Sequence, residues 1–548
     1  MNMDRMNMDK APTALRKMLL GLVGVLGIFA VAACSDGGLN LPLGSDDDKT
    51  NKINVDSDLK GSTMRIAGAT ELAELQPLMQ KASDDLGFTI NLELLDGTVK
   101  NSHALVAGEF DNDFDATWFA TNRYVDLLGG ADKLGEAKKV ATSPVAFGIH
   151  SAKARELGWD TKQPTWAEIA EAASSGKLAY GMTNPAESNS GFSGVVSVAT
   201  AFADTGSALT TGDINRTTPE LQKFFEGQKM TSGSSGWLRD KFLDEPDSVD
   251  ALINYEAVLQ QMNKEGADLE VVVPSDGVIS ADYPLTPLAQ PANDLAARQT
   301  EALGQWLEAN SQVLADHFLR PVSDDANLPE SMTNSVIIEL PFPGDRAVTD
   351  RLIEAYDNDL RVPGESVFVL DTSGSMFGER IADLQATMRA IVDRSARTET
   401  GSVGLRNREI ATILPFSTTV GEPTTTTIDG PESRAQLTAA IDGLYAEGET
   451  ALYDALIQAF DLLGSSDKNS IPSIVVLTDG QVTSGKSFAE FRDFYQSKGG
   501  NLPPVFVIRY GEADPGEMQE LANLTGGKVL ESRETELADV FKEIRGYQ

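Results

Sequence analysis

The sequence predicts an α/β protein of two modules: a two-lobed strand–helix module over 61–325 and a doubly wound, Rossmann-like parallel-sheet module over 364–548. Three observations predict it. Short apolar runs alternate with stretches of helical periodicity through both regions. In the C-terminal third the runs are continuously apolar, which suits parallel strands buried on both faces. Hydroxyl and carboxylate residues gather where those runs end, the edge at which open α/β sheets carry ligands.

Composition narrows the function. The chain has 548 residues, enough for two to four domains at roughly 100–200 residues each. Its 41% apolar content, with 5 Trp, 10 Tyr and 22 Phe, supplies packed cores. The net charge of −37 argues against nucleic acid as a partner and against adsorption to anionic lipid by charge alone. One cysteine cannot close an intramolecular disulfide or build a Cys-rich zinc site. Three scattered histidines (His103, His150, His317) leave little material for a Ser-His-Asp centre, and there is no GxSxG. A binding protein is expected, not an enzyme.

The N-terminus comes first in order. Arg16 and Lys17 precede the apolar run Met18–Ala33, which at sixteen residues is shorter than the ~20 a spanning helix needs. A secretion signal over 1–33 fits better than a membrane span. The run ends in Val31-Ala32-Ala33-Cys34, which resembles a bacterial lipobox. That resemblance implies lipidation of Cys34 and a place on the extracytoplasmic face of the cell membrane. Residues 34–60 carry Gly, Pro, Asp and Ser without apolar periodicity, and read as a flexible acidic tether.

Between 61 and 325 the elements alternate. Met64–Ala67 reads as a strand, Glu71–Leu86 as a helix and Phe88–Leu94 as a second strand. A third strand near Phe114 leads to Thr117, and Pro144–Ile149 and Leu269–Val273 are further strands. The segment Thr183-Asn184-Pro185-Ala186-Glu187-Ser188-Asn189-Ser190-Gly191-Phe192-Ser193 opens a helix with small hydroxyl and amide residues, a place where free N–H groups can meet an anion or carboxylate. This segment, then Asn254-Tyr255-Glu256, Pro274-Ser275-Asp276-Gly277 and Tyr283-Pro284-Leu285, resembles bacterial solute-binding proteins of the type II periplasmic class. The resemblance implies two lobes that close on a small solute by hinge bending, with a cleft lined by Ala69, Thr70, Thr117, Ser190, Gly191 and Tyr255. Residues 326–363 are expected as a linker, with Ser335–Leu340 strand-like and Ala347–Tyr356 helix-like.

From 364 onward the strands are Val367–Leu370, Ile410–Leu414, Ile474–Leu477 and Val505–Ile508. Ile381, Leu384, Met388 and Ile391 recur at helical spacing, as do Leu452, Leu456, Phe460 and Leu463. Asp371, Ser373 and Ser375 follow the first strand, Thr450 precedes a helix and Asp479 follows the central strand. Two carboxylates and three hydroxyls make a hard-oxygen set suited to Mg²⁺, with Mn²⁺ or Ca²⁺ as alternatives, and leave the shell open for an outside oxygen. The segment Phe368–Met376 resembles the start of a von Willebrand factor A domain with its metal-ion-dependent adhesion site, and Thr450 and Asp479 match that family's later positions. The resemblance implies a protein partner whose acidic side chain completes the metal shell. Gly480–Ser487 also fits the phosphate-loop spacing, but the later strand ends in Arg509-Tyr510 rather than a magnesium-holding Asp.

The reading is a membrane-anchored extracellular lipoprotein that recognises a protein through a divalent cation. The alternative is the solute-binding receptor of a transport system, with the C-terminal module as an accessory.

Overall fold

The computed structural model describes residues 50–531 apart from 334, 396, 399–400, 403, 465–469, 480, 500–501 and 510–514. The expected leader 1–33, Cys34 and most of the tether lie outside the described residues. From Asn51 onward the described residues form one unit.

The first module is built on two sheets. Strands β1 (Thr63–Gly68), β2 (Thr89–Leu94), β3 (Ala116–Trp118) and β4 (Lys138–Lys139) belong to one sheet. The chain then enters the second sheet with β5 (Ala141–His150), β6 (Tyr180–Thr183), β7 (Gln228–Ser232), β8 (Ala251–Tyr255), β9 (Leu269–Val272) and β10 (Ser280–Ala281). It returns to the first sheet as β11 (Pro284–Pro287) and ends on β5 as β12 (Arg320–Pro321). The first sheet has the order β2-β1-β3-β11-β4, and the second is built along β10-β5-β8-β6-β7. The two crossings, at 139–141 and 281–284, make two lobes. β1 pairs in parallel with β2 and β3, so the intervening segments cross over as helices.

The stretch 71–86 is not one helix. A 3₁₀ turn covers Thr70–Leu75, and the α-helix begins at Gln76. Pro77 explains the break. It has no N–H to donate, and its ring would meet the carbonyl four residues back if the helix continued upstream, so it sits in the first turn instead.

The second module has β13 (Gly364–Asp371), a short hairpin of β14 (Arg397–Thr398) and β15 (Gly401–Ser402), then β16 (Ile410–Phe416), β17 (Thr424–Thr427), β18 (Ile471–Thr478), β19 (Val505–Arg509) and β20 (Val529–Glu531). Its main sheet runs β17-β16-β13-β18-β19-β20, parallel except for the β17 edge. β13 is buried along its whole length. Its residues alternate between two cores, as the pleat requires. Phe368 and Leu370 face Leu384, Met388 and Ile391, whereas Val367 and Val369 face Leu452, Leu456 and Phe460.

Two expectations for 326–363 differ from what is observed. Ser335–Leu340 forms no strand beyond a single bridge from Glu339 to Val278, and Val336 and Ile338 are exposed. Ile337 and Leu340 pack on the first module's core instead. The helix-like segment is a helix over Arg346–Ala355, followed by a π turn over Tyr356–Leu360. Val348, Leu352, Ala355, Tyr356 and Leu360 are buried in the core of the first module. This turn also holds the second module, because Asp357 pairs with the buried guanidinium of Arg406 at 3.0 Å. Removing one partner of a buried pair leaves an uncompensated charge. Asp357→Ala is therefore expected to lower unfolding free energy by about 3 kcal/mol, measured by urea denaturation, with much of the loss recovered when Arg406→Met is added.

Candidate functional site

The register of β13 with β18 sets the first site. Leu370 lies opposite Leu477, so Asp371 emerges beside Thr478 and Asp479 at the carboxyl edge. Asp371 is fully buried. Its Oδ2 accepts from the Thr478 hydroxyl at 2.5 Å, and its Oδ1 accepts from the Ser373 N–H at 2.8 Å. The Ser373 and Ser375 hydroxyls lie 3.0 Å apart, and Ser375 donates to Asp479 Oδ1 at 2.8 Å. Four of the five sequence-derived residues thus form one hydrogen-bonded chain. Burial pushes the Asp371 carboxyl above its ordinary range, the Thr478 and Ser373 bonds pull it back, and the neighbouring Asp479 charge raises it further.

Thr450 arrives on a loop docked against the same turn. Glu447 N–H donates to Thr372 O at 2.8 Å, and Gly374 N–H donates to Gly448 O at 3.0 Å. Gly448 turns with φ +80°, and a Cβ there would lie 2.5 Å from Thr418 Oγ1, so glycine is required for this approach. Thr450 is buried, and its backbone bonds to Thr483 and Ser484; no bond joins its hydroxyl to the other four residues.

Arg380 was not singled out from the sequence. It sits in the first turn of the helix Glu379–Val392, and its Nη1 donates to Asp479 Oδ2 and to Ser375 O. A positive charge already lies against the carboxylate that the metal reading requires. Among the described residues no group of three or more His, Cys, Asp or Glu side chains is placed to hold a metal. The donor set here is instead two carboxylates and neighbouring hydroxyls, which fits a hard divalent cation. The phosphate-loop lysine is committed elsewhere: Lys486 Nζ pairs with Asp454 Oδ1 at 2.8 Å.

In the first module the six sequence-derived cleft residues lie on both lobes. Ala69 N–H donates to Trp118 O, which sets Ala69 and Thr70 beside Thr117 on the next strand. On the other lobe, Ser190 Oγ lies within 2.9 Å of Thr183 Oγ1 and 2.8 Å of Ser235 Oγ. Gly191 packs so tightly on β6 that a Cβ would lie 2.2 Å from Thr183 O, which accounts for that glycine by packing. The Tyr255 hydroxyl accepts from Asn189 Nδ2 at 2.9 Å. The lobes touch where Gly236 N–H donates to Thr70 Oγ1 and Lys100 N–H donates to Glu187 O.

Glu71, adjacent to Thr70, was also missed. Its only signal in the sequence was its place after the first strand. Burial pushes its carboxyl up to about 7, and its own backbone N–H and the Thr98 side chain only partly offset this.

Comparison with known proteins follows this division. Residues 366–481 match the family model of the von Willebrand factor type A domain. No curated protein matches the sequence. Among solved structures, the periplasmic binding protein P5PA is 15% identical, covering 55% of this chain and 100% of its own, with a TM-score of 0.44. AfuA of Actinobacillus pleuropneumoniae is 12% identical over 55% of this chain and 98% of its own, with a TM-score of 0.43. A von Willebrand factor type A protein of Catenulispora acidiphila is 26% identical over 34% of this chain and 43% of its own, with a TM-score of 0.28. The C-terminal module contains a von Willebrand factor type A domain over 366–481.

The raised Glu71 carboxyl gives a pH prediction. Its ordinary value is 4.5 and its folded value about 7, so the folded state holds the proton more tightly. The groups that act on it or whose own titration it affects are Thr98, Tyr255 and Tyr283. Stability falls as pH rises through the window from 4.5 to 7 and this contribution then levels off. Glu71→Gln is expected to match wild type at pH 4.5 and to be more stable at pH 8, measured by urea denaturation at both.

Proposed function

We propose that the protein is an extracytoplasmic binding protein, lipid-anchored through Cys34, that recognises a protein partner through a divalent cation. Asp371, Ser373, Ser375, Thr450 and Asp479 would hold the cation, with Mg²⁺ the favoured ion. When bound, it supplies a Lewis-acidic position for a partner's carboxylate. The observation that carries this reading is the hydrogen-bonded chain Asp371–Ser373–Ser375–Asp479 at the carboxyl edge of the sheet, with a cationic side chain already on Asp479.

Two further features support a macromolecular partner. Phe377, two residues after Ser375, is 80% exposed, and Tyr445, two residues before the docked Glu447, is 66% exposed. Exposed aromatic side chains beside a charged centre are the composition of a recognition surface. Nothing in this reading calls for a reaction, so the protein acts by binding and not as an enzyme. Among the described residues no helix is long and apolar enough to cross a membrane, and the anchor in this reading is the lipid on Cys34.

A second reading, a solute receptor of a transport system, is favoured by the cleft itself. Ser190, Asn189, Thr117 and Tyr255 supply buried polar groups on the two lobes, and Gly236 N–H donates to Thr70 Oγ1 between them.

Arg380 makes the metal reading quantitative, because its guanidinium and the cation share Asp479. Asp371→Asn is expected to abolish the rise in Tm that Mg²⁺ gives the full chain over chelator. Arg380→Ala is expected to tighten Mg²⁺ binding by about tenfold, about 1.4 kcal/mol, by calorimetry. Equal curves for wild type and Asp371→Asn in Mg²⁺ and in chelator would end the metal reading. Cys34→Ser is expected to release the protein from membranes into the medium, checked by fractionation.

A further inference from the structure

We infer that the cleft of the N-terminal module takes a small cationic solute of the ammonium or guanidinium class, with Glu71 as its counter-charge. The inference rests on reading that cleft as a solute site and adds the charge of its occupant.

The first ground is the pairing of charges. Glu71 lines a small pocket with Thr70, Gly236, Arg239, Ala257, Gln261 and His317. Among the described residues no lysine or arginine forms an ion pair with it. The cations nearby are committed to other carboxylates. Arg239 reaches Glu265 at 2.6 Å, Asp240 at 2.9 Å and Glu74 at 3.4 Å. Lys139 and Arg123 both face Asp282, at 3.4 and 3.8 Å, and Lys100 faces Asp96 at 2.6 Å. A half-buried carboxylate without a cation is costly, and a cationic ligand reduces that cost.

The second ground is the polarity of the unfilled hydrogen bonds. Asn189 is 1% exposed, and its Nδ2 is taken by Tyr255 and Ser193 while its Oδ1 has no partner. Thr117 Oγ1 is fully buried without a partner, and so is Gln261 Oε1 in the Glu71 pocket. Each of these atoms can accept a hydrogen bond. Together with a carboxylate they ask for a ligand rich in N–H donors. An anion would meet Glu71 and would find no free arginine or lysine among these groups.

The test uses the full chain, thermal shift and calorimetry, at pH 8. The probes are arginine, 1,4-diaminobutane and choline, with phosphate and glucose as the anionic and neutral counterparts. The expected result is that a cation raises Tm by several degrees, that Glu71→Gln weakens it at least tenfold, and that Glu71→Asp weakens it less. Glu71→Gln without ligand should melt no lower than wild type, which separates loss of binding from loss of fold. Binding of phosphate or glucose but no cation would overturn the charge assignment and leave the cleft a solute site. Cation binding unchanged in Glu71→Gln and Glu71→Asp would overturn the role of Glu71. No shift with any probe would overturn the solute reading as well.

Discussion

A buried strand that ends in a carboxylate is the constraint on which the C-terminal module turns. β13 is covered on both faces, so its direction and register are fixed by apolar packing alone. That packing delivers Asp371 into a site with almost no solvent, and the adjacent β18 delivers Asp479 beside it. Two carboxylates in a dry corner repel each other and lose hydration. The surroundings must supply donors or positive charge. The hydroxyls of Thr478 and Ser375, the N–H of Ser373 and the guanidinium of Arg380 do so. The chemistry of the edge is thus a consequence of sheet geometry.

Much of this edge was legible because the relevant signals are local. Continuous apolar runs mark β13, β16, β18 and β19, and each carboxylate follows its run directly. Arg380 was not legible because its partner, Asp479, is 99 residues away in the chain, and only the pairing of β13 with β18 brings them together. Glu71 was hidden differently. An acidic residue after a strand is ordinary, and it is the packing of Gly236, Ala257 and Gln261 of the second lobe beside it that makes its charge unusual. The exposed Val336 and Ile338 show the opposite failure. Alternation of apolar residues specifies a strand only where a sheet edge is available to receive it.

The join between the modules also follows from burial. The π turn at 356–360 presents backbone carbonyls outward, and side chains of both modules take them. Gln222 donates to Asp359 O at 2.9 Å from the first module, and Arg408 donates to Asp359 O and Arg361 O from the second. Asn358 Oδ1 accepts from the Asn407 N–H, while Tyr356 turns inward onto Gln228. A segment whose polar sequence suggests a free linker is therefore a shared seam. The Asp357 and Glu409 charges act most on Arg406, with a smaller effect from Glu187 of the first module.

The two candidate sites can be compared by how each balances its negative charge. At Asp479 the chain provides its own cation, on an arginine whose side chain is 36% exposed and so has room to leave. An incoming ion there must compete with a tethered group, which sets a threshold on affinity. At Glu71 no cation is provided among the described residues, and the carboxyl balances itself by holding its proton up to about 7. An incoming cation there competes only with a proton. The first arrangement favours a partner that brings its own carboxylate to a multivalent ion. The second favours a single small charge that fits within closed walls. The difference follows from which residues surround each carboxylate, and it is the physical basis of the two proposals, a macromolecular partner at the outer edge of the C-terminal sheet and a solute in the N-terminal module.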